Sequence, residues 1–330
     1  MKALVTGATG FIGSAVARAL IAKGYEVRVT VRGGSDLSNV QGLCAEQVNA
    51  DLADPDSLRR AVEGCDAVFH LAADYRLWTL DPDAMYRVNV DGTLHLIRAA
   101  VDAGVERIVY TSSVATLGLN LDRSPADEET PSSLTDMVGH YKRSKFMAEE
   151  AVGKEVEARA LPVVIVNPSA PVGPRDIKPT PTGQIILDAA LGRMPAYMDT
   201  GLNVAHVDDV AAGHLLALER GESGRRYILG GTDMTLREIL EVVARLLGTR
   251  APKVRLAPAV VYPIAVVNEA WARLTRKPPR VPLDGVRMAK KHMYFRSDRA
   301  IREIGYHARP AEDAIRDALD WFRSAGYLSR

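Results

Sequence analysis

The chain has 330 residues, 47% of them apolar and 25% charged, which suits one large α/β domain with a smaller lobe. A formal charge of +1 gives no basis for a nucleic-acid partner. No apolar run reaches the roughly 18 residues of a transmembrane helix.

In chain order, Ala3–Thr6 is a short apolar run that predicts a buried strand. A glycine-rich loop and a helix over Ile12–Lys23 follow. The opening MKALVTGATGFIG therefore reads as strand and loop rather than as a signal peptide. Glu26–Val31 alternates and is β-branched, a second strand. A third strand is expected just before Asp51, and Ala67–Leu71 and Arg107–Thr111 are two more. Met85–Ala103 has a helical pattern with Gly104 as its stop. Strand and helix in alternation predict a doubly wound parallel sheet, a Rossmann fold, with ligands at the carboxyl ends of its strands.

Asn120–Thr135 is rich in Asp, Glu, Ser and Pro and reads as a loop, and Gly139–Arg159 as a long helix. Leu161–Val166 is a further strand. The five prolines between Pro168 and Thr182 argue against regular structure there. The remainder reads as mostly helical, with a short strand at Arg226–Leu229. The expected organisation is a dinucleotide-binding domain over 1–167 with 206–229. A discontinuous, mostly helical substrate lobe over 168–205 and 230–330 completes it. Ala257–Val267 is nearly uncharged and is expected to bury against this lobe, with contact to a membrane surface as the alternative.

Gly7, Gly10 and Gly13 form GxxGxxG between the first strand and its helix. One glycine permits a tight turn, one lets backbone approach a pyrophosphate, and one lets helix and strand pack closely. Thr9, Phe11 and Ile12 share that turn and join the cofactor-binding candidates. The second strand ends in Arg32, where an acid would favour a free ribose hydroxyl; an arginine can pair with a 2′-phosphate. NADP(H) is accordingly preferred to NAD(H). Asp51 and Leu52 could reach an adenine edge. Leu71, Ala72 and Ala73 would let a dinucleotide lie against backbone, with His70 a packed residue rather than a catalyst. Cys44 and Cys65 have no metal-binding spacing and read as plain thiols of a reducing compartment, so no metal is expected and the cytoplasm is the default location.

Tyr141 and Lys145 stand four apart on one helix face, so an ammonium lies one turn from a phenol. That charge, with an oxidised nicotinamide, is expected to lower the tyrosine pKa and make it a proton shuttle. Thr111, Ser112 and Ser113 sit at the end of the fifth strand, where a hydroxyl can orient the reacting oxygen. Ser113 is chosen over Ser112, although both could line the site. Tyr75 and Trp78 could stack on a substrate ring or cover an apolar one.

These features resemble the extended short-chain dehydrogenase/reductase family, which includes the NAD-dependent epimerases and dehydratases. The resemblance rests on TGATGFIG, Leu71–Ala73, Asn89–Thr93, Tyr110–Ser113, Tyr141–Lys145 and His206–Ala211. Ala73–Trp78 and Gly173–Gly183 resemble the hopanoid-associated sugar epimerases most, and the dihydroflavonol and aldehyde reductases less specifically. The resemblance implies Ser113, Tyr141 and Lys145 as the catalytic set. It also implies Asn167 and Pro168 beside the nicotinamide, Asn89 as a buried structural asparagine, and a homodimer through the Tyr141 helix and the one before it. Of the several arginines that grip a diphosphate in nucleotide-sugar epimerases, only Arg175 is an obvious candidate here, together with Asn167. An epimerase or a carbonyl reductase acting on a small molecule, sugar-linked or polycyclic, fits these residues. A silent dinucleotide-binding sensor is the non-catalytic alternative.

Overall fold

The computed structural model describes residues 1–279 and 282–328. The first half alternates as expected: β1 (Lys2–Thr6), α1 (Phe11–Ala22), β2 (Glu26–Val31), β3 (Ala45–Asn49), α2 (Pro55–Val62) and β4 (Ala67–His70). Then come α3 (Pro82–Tyr86), α4 (Gly92–Asp102), β5 (Arg107–Thr111), α5 (Gly139–Arg159) and β6 (Val163–Pro168). The second half holds β7 (Ala170–Val172), α6 (Pro181–Ala190), β8 (Ala196–Met198), β9 (Gly201–His206), α7 (Val207–Arg220) and β10 (Arg226–Leu229). It ends with β11 (Thr232–Thr235), α8 (Leu236–Leu247), β12 (Val254–Leu256), α9 (Pro258–Thr275), α10 (Leu283–Met288), β13 (His292–Met293) and α11 (Ala311–Ser324).

Seven parallel strands form the main sheet in the order β10-β6-β5-β4-β1-β2-β3. The order reverses between β1 and β4, so their carboxyl ends open the crevice in which such sheets bind ligands. Helices cover both faces because the central strands are apolar on both sides. Ala3, Val5, Phe69 and Val109 pack beneath α1 and α7, whereas Leu4, Val68, Ile108 and Tyr110 face α2, α4 and α5. Each fully buried Leu, Val or Phe contributes about 1.5–3 kcal/mol.

The second half departs from expectation in three places. The proline-rich stretch is not irregular throughout. Pro168 ends β6, Pro171 lies in β7, and Pro181 opens α6 beside its cap Thr180. A proline at the first turn of a helix gives up an N–H that would be unpaired anyway. The lobe is not helices alone either: β7, β9, β11 and β13 make a second, four-stranded sheet. Lastly, Ala257–Val267 does not bury. It begins α9, of which only Ala265 and Ala272 are buried. Among the described residues, no helix is long and apolar enough to cross a membrane.

Candidate active site

The glycine loop is shaped by close approaches. Gly7 has φ +72°, and a Cβ there would stand 2.8 Å from the Ala72 nitrogen. A Cβ on Gly13 would stand 2.2 Å from the Gly7 carbonyl oxygen, so only glycine lets α1 start this near the loop. The Gly10 N–H is used inside the turn, donating to the Gly7 carbonyl at 2.9 Å. Helix α1 has neither a side-chain cap nor an acidic residue in its first turn. Its N-terminus thus presents free donors and a positive dipole end, which fit a diphosphate. Phe11 and Ile12 pack partly into the core beneath, and the Thr9 and Gly10 carbonyls accept from the buried Asn39 amide.

Across the crevice, Thr6 accepts from the backbone N–H groups of Leu71 and Ala72 at 3.1 and 3.2 Å, fixing the chain that leaves β4. The Thr6 hydroxyl donates to His70 Nδ1, and His70 Nε2 donates to Thr93, whose own proton goes to the Asn89 carbonyl. That order leaves His70 one ring proton. Burial, aided by the Lys145 charge, pushes it down to about 3. It is the packed histidine expected. Asn89 is buried on a π-helical turn, Arg87–Asp91. Its amide grips the backbone of Asp74 and the Ser144 hydroxyl, and Ser144 in turn donates to the Tyr141 carbonyl at 2.8 Å. One side chain thereby joins the loop after β4 to the second turn of α5. Asn89–Thr93 and Met85–Ala103 were legible as a helix, but not the extra residue that turns Asn89 inward.

Strand β5 delivers Ser112 and Ser113 opposite α5. The two serines weigh on different phenols: against burial, Ser112 lowers the pKa of Tyr110 and Ser113 that of Tyr141. Ser113 Oγ accepts from the Ala115 N–H, so its own proton stays available, whereas Ser112 Oγ is buried with no hydrogen-bond partner among the described residues. Lys145 is 4% exposed and donates to the Thr111 carbonyl at 2.8 Å and to the Tyr110 hydroxyl at 3.2 Å. The Thr111 side chain points away, to His214. Burial lowers Lys145 to about 8 against the opposing pull of Glu149. Tyr141 moves the other way from expectation. Burial raises it to about 12, eased only by Ser113, because the lysine's contacts go to Tyr110 and Thr111.

Two groups in this wall and one behind the glycine loop were given no role from sequence. Tyr110 is one. Glu149 is another, one turn beyond Lys145 on the same face, accepting from Thr116 and Asn167 at 2.9 Å each. The third is Asn39, behind the glycine loop. Asn167 is fully buried, and its amide also donates to the Ser113 carbonyl, so its side chain supports the serine loop. Pro168 follows it at the end of β6.

The remaining candidates fall on the rim. Arg32 is exposed past β2. Burial raises the Asp74 carboxyl, but the bond from Arg76 and the charges of Arg76 and Arg32 outweigh it and hold that acid below its usual range. Asp51 Oδ1 accepts from the Ala53 N–H, and Leu52 is buried. Tyr75 is half exposed, next to Ala73 and Asp74. Trp78 lines a cleft of about 570 Å³ with Arg76, His140, Arg143, Glu269 and Arg273, adjoining the first turn of α5. Arg175 is not brought to this cleft. It is ion-paired with Asp208, and its carbonyl is held by Asn39 behind the glycine loop.

Residues 3–230 match the model of the NAD dependent epimerase/dehydratase family. A crystal structure of gox2253 superposes with a TM-score of 0.89 at 53% identity, covering 99% of each chain. A Synechocystis protein named "Putative dihydroflavonol 4-reductase" is 43% identical over 98% of this chain and 95% of its own. Sterol demethylase protein B of Methylococcus capsulatus is 36% identical over 99% of this chain and 100% of its own.

Proposed function

The chain belongs to the NAD dependent epimerase/dehydratase family, and on that premise we propose that it moves a hydride to or from an alcohol or ketone carbon, running chiefly as a carbonyl reductase with NADP(H) in preference to NAD(H). The observation that carries this reading is Ser113 at the end of β5 acting on a half-buried Tyr141, whose hydroxyl burial raises to about 12 and Ser113 eases, with Lys145 one turn along. A phenol held near 12 keeps its proton at neutral pH and can give it to a carbonyl oxygen as that oxygen gains charge. Ser113, with its proton free, hydrogen-bonds the same oxygen and fixes its direction. Lys145 holds a positive charge below about pH 8 beside the Tyr110 hydroxyl and the Thr111 carbonyl, and it would offer donors to ribose hydroxyls. The dinucleotide, when bound, supplies or accepts the hydride. The free N–H groups of α1, Gly7, Gly10 and Gly13, the Leu71–Ala73 backbone and Arg32 would hold it.

Arg175, the one arginine offered for a sugar diphosphate, is committed to Asp208, which favours a reductase over a nucleotide-sugar epimerase. Epimerisation is the second reading. Arg143 in the cleft favours it: Arg76 and Arg273 are paired with Asp74 and Glu269, but Arg143 donates only to the Met137 carbonyl among the described residues and could take an anionic substrate tail. A polycyclic lipid, such as a hopanoid or sterol, is the apolar substrate class we favour. Trp78 and Tyr75 suit it, and the Methylococcus relative bears a sterol enzyme's name. Residues 168–205 and 230–330 are assigned to the substrate.

The experiment is to identify the dinucleotide that copurifies and to titrate the protein with NADPH and NADH. Exchangeable NADPH, consumed with a ketone panel, is expected. NAD that survives gel filtration, with no net consumption of either cofactor, would replace the reductive reading with epimerisation.

A further inference from the structure

Helix α9 is built the wrong way round for a helix of a water-soluble lobe. Its buried face is small, Ala265 and Ala272, while Val260, Ile264, Val267, Trp271 and Leu274 are 53–77% exposed. Those five recur at spacings of four and three, so they form one outward stripe along most of this 18-residue helix. A stripe of this kind normally faces a core. Here it faces outward, in a segment that is nearly free of charge from Ala257 to Asn268.

The surroundings carry the opposite character. Residues 250–291 contain ten lysines and arginines against only Glu269 and Asp284, a local charge of +8 in a chain whose total is +1. Arg276 and Lys277 follow the helix directly. Lys290 lies over the Tyr262 ring, 5.6 Å from its centre. An apolar stripe in a basic setting meets two needs of an anionic bilayer at once: acyl-chain contact for the stripe and headgroup phosphates for the cations. A second copy of this chain, docked about a two-fold axis, would bring two such basic surfaces together. An acidic protein would satisfy the charge but leave the length of the stripe without a stated partner.

We propose that α9 docks this enzyme on the surface of an anionic membrane, lying in the interface with the stripe inward and the flanking cations on phosphate. Glu269 and Arg273 of the same helix line the cleft that adjoins Tyr141, so docking sets that cleft near the bilayer and admits an alcohol or ketone dissolved there. The docking stands on the stripe and its charge alone; only the nature of the guest rests on the hydride reading above.

The test is flotation of the full chain with vesicles of phosphatidylcholine containing phosphatidylglycerol, beside vesicles of phosphatidylcholine alone. Co-flotation with the anionic vesicles is expected, weakened by salt, with a blue shift of Trp271 emission. The double variant Val267→Glu, Trp271→Glu should lose about tenfold or more of the bound fraction, with NADPH binding unchanged as proof of folding. Arg276→Glu with Lys277→Glu should weaken binding to the anionic vesicles at low salt by about tenfold or more, at ~1 kcal/mol per cation with the charge reversed. No flotation with either vesicle type overturns the proposal. So does a wild-type dimer that the stripe variants turn into monomers, since a second copy would then cover α9. Neither outcome bears on turnover, so the hydride reading is judged separately.

Discussion

The face of α5 that meets β5 and the outer face of α9 are helical surfaces made by opposite rules. On α5, Tyr141, Lys145 and Glu149 follow one another at single turns, and the last two are buried with named partners. On α9, residues at the same spacings are apolar and exposed. Burying an ammonium and a carboxylate is expensive unless both are bonded, so such an arrangement persists where it has a task. Exposing five large apolar side chains in a line is also unfavourable in water. The first surface reads as the place of chemistry, and the second as the place of contact. Chemistry can therefore stay fixed while the substrate side changes.

The sharpest way to break that contrast is Tyr141→Phe. It removes the one hydroxyl proposed to move a proton and leaves the ring in place. Turnover should fall by about 10²–10⁴-fold, the usual worth of a positioned acid or base. Affinity for NADPH, measured by fluorescence titration, should hold. Turnover within threefold of wild type would show that the α5 wall is structural.

Lys145 gives the next largest effect, and its sign can be stated. Burial places its pKa near 8, below the 10.5 of an unfolded lysine. Below pH 8 the folded protein holds a costly ammonium; above it the site loses its cation. Stability should therefore rise between pH 8 and about 10.5 from this group, by up to roughly 3 kcal/mol. Over that range, kcat/KM should fall with a limb near 8. Lys145→Met should lower kcat/KM by about 100-fold, as for loss of one donor aimed at developing charge, and abolish the limb. A limb that survives the substitution would belong to another group.

The same contrast explains what the sequence disclosed. The alternation of strand and helix, the glycine turn and the Tyr141–Lys145 spacing are local patterns. Each follows from residues within one or two turns of each other, as with Gly7 and Gly13. What stayed hidden was long-range. Asn39 reaches the glycine loop from 30 residues away, and Asn89 joins Asp74 to Ser144. Arg175 invites a substrate role by its charge until Asp208 takes it. The direction of the Tyr141 shift could not be read from spacing either. A lysine four residues on shares a helix face, but which phenol its ammonium meets depends on β5. For α9, an uncharged run is equally compatible with core and with interface, and exposure alone separates them.

The smallest effect lies on the rim, at Arg32. Its guanidinium is exposed and bonds no carboxylate among the described residues, although its charge is felt at Asp74. A 2′-phosphate would meet it at the surface, where solvent screens the pair, so the gain is that of one charge-assisted bond in water and not of a buried clamp. Arg32→Ser should weaken NADPH about tenfold, near the lower end of the 1.5–3 kcal/mol for a bond to a charged group, and leave NADH within twofold. High salt should shrink the difference between the two cofactors in the wild type and not in the variant. If instead both cofactors weaken equally, Arg32 serves the loop through Asp74, which Asn89 ties by its backbone to α5. Cofactor choice would then be set by the buried network and not by the rim, and the division between a fixed interior and an adjustable surface would have to be drawn further in.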